Sequence, residues 1–131
     1  MSTSRTGGCL CQSVTYRLPE EVAPVLHCHC ENCRRLTGNF IAAIRVQNVD
    51  LDVSEGGQLR WHELGYAKYG FCSGCGSTMF YVAADDPGRT SVTVGTLDDS
   101  RDLVLGAVWF ADEMQPHNVA PDGVIRHAGN G

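Results

Sequence analysis

The sequence predicts a mainly β protein built from many short strands. Apolar and polar residues alternate over short windows, as at Val14 and Tyr16, and this is the period of a half-buried strand. Turn-forming residues separate the windows, for example Gly56 and Gly57, and the Asp-Asp-Pro-Gly stretch at 85–88. Short strands at this spacing, with turns between them, are typical of a β fold.

The individual elements follow from the same local signals. Gly7 and Gly8 predict a tight turn that leads into a strand around Val14. The segment 31–36 predicts one helical turn, closed by Gly38. Residues beyond Met114 are rich in Pro, Gly, Asn and His, so we expect irregular coil there. The further extended segments that we expect lie at 25–30, 40–46, 49–53, 58–64, 66–71, 79–82, 91–94 and 104–110.

Composition and charge limit the kinds of protein that this chain can be. At 131 residues it can bury a core without disulfides, and we expect one domain over residues 1–131. No apolar run approaches the roughly 20 residues that cross a bilayer, and the first residues lack a signal-peptide pattern. A net charge of −5 argues against nucleic acid as the main partner. Seven cysteines without an export signal indicate a cytoplasmic location and a metal role.

The stretch HCHCENC at 27–33 places three cysteines within six positions. In an extended segment, Cys28 and Cys30 point to the same face with Cα atoms roughly 6.5–7 Å apart, at the limit for a disulfide. A metal ion avoids this strain, because a small bend brings both sulfurs to about 2.3 Å from one zinc ion. We therefore expect Cys28, Cys30 and Cys33, the cysteine trio, to bind zinc.

The motif Cys-Ser-Gly-Cys-Gly at 72–76 has the form of a zinc knuckle. A tight turn presents the sulfurs of Cys72 and Cys75 on one side, and the glycines let backbone N–H groups approach them. A redox CxxC motif is the alternative, but it requires a helix that starts at the pair within a βαβ unit. Because a β-type segment follows here, zinc binding is the better interpretation.

Spacing alone allows two divisions of the seven cysteines. In the first, Cys9 and Cys11 join Cys72 and Cys75 in a closed site, the cysteine quartet, while the trio keeps an open position. In the second, cysteines of the trio close a site with Cys72 and Cys75, and the first pair has no metal. The four-plus-three division leaves no cysteine unused.

The polar residues around the trio each have a functional and a structural interpretation. We expect His27 and His29 to be supporting or surface residues rather than ligands, since His29 faces away from the sulfurs in an extended segment. Glu31 is either a general base or a carboxylate at a helix N-terminus. Arg34 and Arg35 either offset the charge of the site or bind a substrate carboxylate, or they lie in solvent.

Four stretches together resemble the glutathione-dependent formaldehyde-activating family, over about three-quarters of the chain (7–99). They are GGCLCQSVTY at 7–16, HCHCENCRRLTG at 27–38, FCSGCGS at 71–77 and VGTLDD at 94–99. The resemblance implies a β-tent fold of short antiparallel strands around zinc sites. The part from 104 to 131 matches little of the family pattern, and its role is not implied by the resemblance.

The resemblance also implies two zinc ions and a reaction. The quartet would hold a structural zinc, and Cys28, Cys30 and Cys33 would hold a catalytic, labile zinc. The implied activity is that of a carbon–sulfur lyase, which condenses formaldehyde with glutathione to S-hydroxymethylglutathione and catalyses the reverse. The implied partners are a small thiol such as glutathione and a small aldehyde.

Two other functions compete with a zinc lyase. One is a non-catalytic zinc domain that contacts protein or nucleic acid, for which both sites are expected to have four ligands. The odd number of cysteines argues against it. The other is a thiol–disulfide or sulfoxide reductase, which needs a reactive cysteine free of metal.

Overall fold

The structure is a computed structural model that describes residues 4–129, and strands predominate in this range. One α-helix, α1, spans Glu31–Thr37, and 3-10 turns cover Asn48–Asp50, Val94–Thr96 and Ala111–Glu113. The described strands are β1 (Ser4–Gly8), β2 (Thr15–Pro19), β3 (Val25–Cys28), β4 (Ile41–Gln47), β5 (Asp52–Ser54), β6 (Leu59–Glu63), β7 (Ala67–Cys72), β8 (Thr78–Ala83), β9 (Arg89–Thr93), β10 (Leu105–Trp109) and β11 (Ile125–Arg126). The prediction of a mainly β fold of short strands is confirmed.

The chain divides into two compact units. The first unit consists of Met1–Ala23 and Ile44–Asp102, and the second of Pro24–Ala43 and Leu103–Gly131. Strand β4 begins in the second unit and continues into the first. The single domain expected over residues 1–131 stays a prediction.

The first unit contains two sets of paired strands. Strands β1, β2 and β5 pair antiparallel in the order β1-β2-β5, and the other set has the order β4-β9-β8-β7-β6. The side chains of Ile44, Met79 and Phe80 are buried here. The Tyr16 ring meets the Phe80 ring edge-on at a centroid distance of 5.7 Å, so an aromatic contact joins β2 to β8.

The glycine turn predicted at Gly7 and Gly8 is wrong, because both residues lie in β1. The turn follows at residues 9–14, where the Gln12 N–H donates to the Cys9 carbonyl at 3.0 Å. A Cβ at Gly7 would lie 2.3 Å from the Tyr16 ring and 2.5 Å from the Thr96 carbonyl oxygen. Glycine is required at this position for close packing inside a strand and not for a turn.

A Gly7→Ala variant is expected to lower the free energy of unfolding by about 2 kcal/mol or more, since the added methyl group meets a buried ring and a backbone carbonyl. Chemical denaturation monitored by circular dichroism measures the change. Gly95→Ala is the control, because a Cβ at Gly95 meets no atom within 4 Å. Equal stability of the two variants would contradict the close-packing role of Gly7.

The second unit contains the strand order β11-β10-β3-β4. Strands β3 and β4 are antiparallel, with Cys28 opposite Ile41. Strand β10 instead runs parallel to both β3 and β11. A parallel pair requires a long connection, and β3 and β10 are joined by most of the chain.

Helix α1 is short and has a cap at each end. Cys30 is its N-cap residue, and Gly38 ends it in the left-handed conformation (φ 88°), as predicted from the sequence. Among residues 4–129, no helix has both the length and the apolar character needed to span a membrane.

Candidate metal centres

The quartet is formed by two turns of the first unit. Cys9 and Cys11 lie in the turn between β1 and β2, and Cys72 and Cys75 lie at the turn between β7 and β8. The Gly76 N–H donates to the Cys72 carbonyl at 2.7 Å and closes the second turn. The two turns thus present four sulfurs to one point.

The spacing of the quartet sulfurs fits a zinc ion. All four Sγ atoms lie within 4.8 Å of one another. The distance from Cys11 Sγ is 3.6 Å to Cys9 Sγ and 3.7 Å to Cys72 Sγ. Zinc–sulfur bonds of about 2.3 Å in a tetrahedron place neighbouring sulfurs about 3.8 Å apart, whereas a disulfide requires about 2.05 Å. The quartet therefore has metal-site spacing, and its cysteines are free thiols.

Hydroxyl groups support two of the quartet sulfurs. Ser77 Oγ lies 3.2 Å from Cys75 Sγ, and this hydrogen bond is the main cause that lowers the pKa of Cys75 to about 5. Ser13 Oγ lies 3.3 Å from Cys11 Sγ and lowers the pKa of Cys11. The thiolate is the form that binds zinc, so the two hydroxyls favour metal binding at Cys11 and Cys75, whereas burial raises the pKa of Cys72 to about 11.

Cysteine spacing alone does not predict that Ser13 and Ser77 contact the quartet sulfurs, although the sequence contains a signal for this. Ser13 follows Cys11 by two residues, and Ser77 follows Cys75 by two residues. The same Cys-x-Ser spacing in both turns lets each hydroxyl turn back toward the preceding sulfur. The repeat of this spacing in two zinc-knuckle turns was the signal.

The trio lies where β3 ends and α1 begins, within the second unit. Cys28 is the last residue of β3 and Cys30 is the N-cap of α1. Cys33 lies in the first turn of the helix, where it is buried, and its N–H donates to Cys30 Sγ at 3.4 Å. The strand-to-helix transition thus brings the three sulfurs together, as the sequence predicted for this stretch.

The trio has three sulfurs and no further ligand among the described residues. Its Sγ atoms lie within 4.8 Å of one another, and across residues 4–129 no other cysteine, histidine or carboxylate joins the group. Hydrogen bonds from Cys28 and Cys33 lower the pKa of Cys30, whereas the bond to Cys30 raises the pKa of Cys28. A metal ion held by these three sulfurs alone would have one coordination position without a ligand from the described residues.

The two histidines beside the trio contact an aromatic ring instead of joining the ligand group. The ring centroid of Phe40 lies 4.5 Å from that of His27 and 4.8 Å from that of His29. His29 is buried and His27 is half-buried, and desolvation lowers the pKa of each. Neither histidine belongs to the group of ligand atoms among the described residues, and their supporting role stays a prediction.

Two charged residues of α1, Glu31 and Arg35, form an ion pair with each other. Arg35 Nε donates to Glu31 Oε1 at 3.2 Å in an exposed i,i+4 pair. An exposed pair of this kind contributes little to stability, about 0.3–0.5 kcal/mol. Arg34 is half-buried and directly follows Cys33.

Comparisons with known proteins agree with this pattern of cysteines. The sequence model of a family described as "Glutathione-dependent formaldehyde-activating enzyme" matches residues 4–113. The fold is similar to the crystal structure of a protein from Rhodobacter sphaeroides determined as a structural-genomics target, with a TM-score of 0.62 and 27% identity. The similarity covers 74% of this chain and 91% of that one. No curated protein matches this chain.

Proposed function

The chain belongs to the glutathione-dependent formaldehyde-activating enzyme family, and we propose that it is a zinc-dependent carbon–sulfur lyase acting on thiol–aldehyde adducts. The reaction proposed is the condensation of formaldehyde with glutathione to S-hydroxymethylglutathione, and its reverse. In the forward direction the thiol sulfur bonds to the carbonyl carbon, and the thiol proton ends on the carbonyl oxygen. A small thiol and a small aldehyde are therefore the proposed substrates.

The observation that carries this proposal is the group of three sulfurs without a fourth ligand among the described residues. Structural zinc sites are closed by four protein ligands, whereas catalytic sites keep one position for a substrate. A zinc domain used only for binding is expected to fill both sites with four ligands. We therefore assign the trio to catalysis and the quartet to structure.

The donor set of the trio suits a thiol substrate. Three thiolates around Zn²⁺ leave a net charge of −1, which makes the ion a weaker Lewis acid than one held by neutral histidines. Zinc held by the trio would supply a position that accepts a thiol sulfur and lowers the pKa of that thiol.

Contacts within the chain hold the groups of the trio site in position. The Cys33 N–H holds Cys30 Sγ in place, and the Phe40 ring packs against both histidines beside Cys28. Arg34 is half-buried and directly follows Cys33, and its proposed role is to offset the trio's negative charge. A thiolate and an aldehyde held side by side gain rate mainly from proximity.

The trio is proposed to hold its zinc less firmly than the quartet. Exposure alone predicts the reverse, since Cys11 of the quartet is exposed while Cys28 and Cys33 of the trio are buried. The number of ligands decides the difference, because three thiolates bind less tightly than four and an entering thiol competes for the metal. We accordingly propose two zinc ions per chain, one structural and one labile.

A cytoplasmic location belongs to the same proposal. All seven cysteines are free thiols in the described residues, as a reducing compartment would keep them. The net charge of −5 supports a small-molecule partner over nucleic acid.

Cobalt substitution tests the proposed function, since thiolate-to-cobalt absorption reports the metal's ligands. Glutathione added to the two-cobalt protein is expected to change the spectrum of one metal only. A Cys33→Ser protein should show no such change. Turnover of formaldehyde with glutathione and other small thiols provides the second measurement. The absence of both a spectral change at millimolar glutathione and turnover would favour the non-catalytic zinc domain.

A further inference from the structure

Strands β10, β3 and β4 of the second unit have termini at the same end of their sheet, and the trio begins at this end. Trp109, the last residue of β10, pairs with Cys28, the last residue of β3. Cys28 also pairs with Ile41, the first residue of β4. These three residues form a row across the sheet in which β3 occupies the middle.

The segment that follows β10 runs across this end of the sheet, from β10 toward β4. It leaves β10 after Trp109, and at its far end Asn118 Nδ2 donates to Asn39 Oδ1 at 3.0 Å. Asn39 lies two residues before Ile41, on the other side of β3 from β10. Two strand spacings separate β10 from β4, about 10 Å. Residues 110–118, the crossing loop, therefore pass the end of β3, where Cys28 leads into Cys30.

The start of the crossing loop has an uncommon backbone conformation. Phe110 is left-handed (φ 53°, ψ 45°), which is unfavourable for a bulky side chain. Its N–H donates to the Gly129 carbonyl at 3.2 Å, and its carbonyl accepts from the Glu113 N–H at 3.0 Å. Such a conformation persists where surrounding contacts impose it, and it is frequent beside functional sites.

The far end of the crossing loop is also attached close to the trio. Asn39 precedes Phe40, whose ring contacts His27 and His29 on either side of Cys28. The Asn39 N–H donates to Thr37 Oγ1, which itself donates to the Cys33 carbonyl. The hydrogen bond between Asn118 and Asn39 thus connects the loop both to the Phe40 ring, which contacts the histidines around Cys28, and to the Cys33 carbonyl through Thr37.

We propose that the crossing loop is a wall of the trio site and limits the size of the entering thiol. Asn118 is the residue that holds this loop in position, through its hydrogen bond to Asn39. The reference to a thiol depends on the function proposed above, whereas the position of the loop does not. The family match ends at residue 113, so Asn118 belongs to a part of this chain that the family pattern does not include.

Alkylation of Cys30 in the full-length, metal-loaded protein tests the loop without any measurement of turnover. Cys30 is the half-exposed member of the trio. Mass spectrometry of its peptide gives rates with iodoacetamide, a small reagent, and with fluorescein maleimide, a bulky one. For Asn118→Ala, the rate with the bulky reagent should rise about fivefold, the effect of one lost hydrogen bond on loop opening. The rate with iodoacetamide should change by less than about twofold.

Two further sets of variants make the result specific. Asn39→Ala should reproduce the effect, and the double variant Asn39→Ala/Asn118→Ala should add nothing, because both remove one contact. Asn48→Ala is the control, since its side chain also joins two segments, through a 2.7 Å bond to the Pro87 carbonyl, but in the first unit. It should leave both rates at Cys30 unchanged.

The outcomes separate this inference from the proposed function. Equal changes with both reagents, no change, or an equal effect of Asn48→Ala would overturn the role of the loop. If the expected alkylation pattern appears in a protein that turns over no thiol and aldehyde, the proposed function fails and the wall stands. If turnover occurs without the pattern, the function stands and the wall fails.

Discussion

A Cys75→Ser variant is expected to lose one zinc ion and about 4 kcal/mol or more of unfolding free energy. The quartet joins two turns whose facing cysteines, Cys11 and Cys72, are 61 residues apart and have sulfurs at 3.7 Å. A metal that closes so long a loop removes much of the entropy of the unfolded chain. Because Cys72 is fully buried, the loss also leaves buried thiols without their cation.

Zinc content by mass spectrometry and thermal unfolding measure this effect. Ser73→Ala is the matched control, since Ser73 lies in the same turn and its hydroxyl bonds to Gln58 rather than to a sulfur. It should keep both metal ions and nearly the full stability. A Cys75→Ser protein with unchanged zinc content and stability would refute the structural role of the quartet.

A Cys33→Ser variant is expected to lose the other zinc and at least about a hundredfold of the thiol–aldehyde activity. The fold should survive with a loss of about 2 kcal/mol at most, as expected for a buried polar substitution without long-range consequences. The trio lies within six consecutive residues, so its metal closes no long loop. The two variants therefore separate stability from activity.

Metal content, unfolding and turnover are compared for Cys33→Ser and for Asn32→Ala, a neighbouring change in α1 that removes no sulfur. Asn32→Ala should keep both metal ions and the cooperative unfolding of the parent. If Cys33→Ser instead collapsed the fold as severely as Cys75→Ser, the division into a structural quartet and a catalytic trio would be wrong.

The strands were predictable where local pattern alone sets them. Strand β4 was expected at 40–46 and spans Ile41–Gln47, and β10 was expected at 104–110 and spans Leu105–Trp109. Gly7 was misinterpreted because its need for glycine comes from the Tyr16 ring of the neighbouring strand. A close approach between two strands cannot be recognised from a local sequence pattern, whereas a strand or a turn can be recognised from alternation and turn residues.

The C-terminal part was the least predictable. The coil expected beyond Met114 contains the two-residue strand β11, which pairs parallel to β10. It also contains Asn118, whose partner Asn39 is 79 residues away. Neither contact follows from local composition, because each joins segments that are distant in the sequence.

Local spacing in the chain is enough to predict which neighbouring cysteines share a site. The spacings Cys9/Cys11, Cys72/Cys75 and 28–33 set the geometry of each group within one turn, since a few backbone angles decide where neighbouring sulfurs point. The meeting of Cys11 with Cys72, 61 residues later, and the lack of a fourth ligand at the trio among the described residues follow from the folded chain. They cannot be read from local spacing, because strand pairing and core packing bring together segments that are distant in the chain.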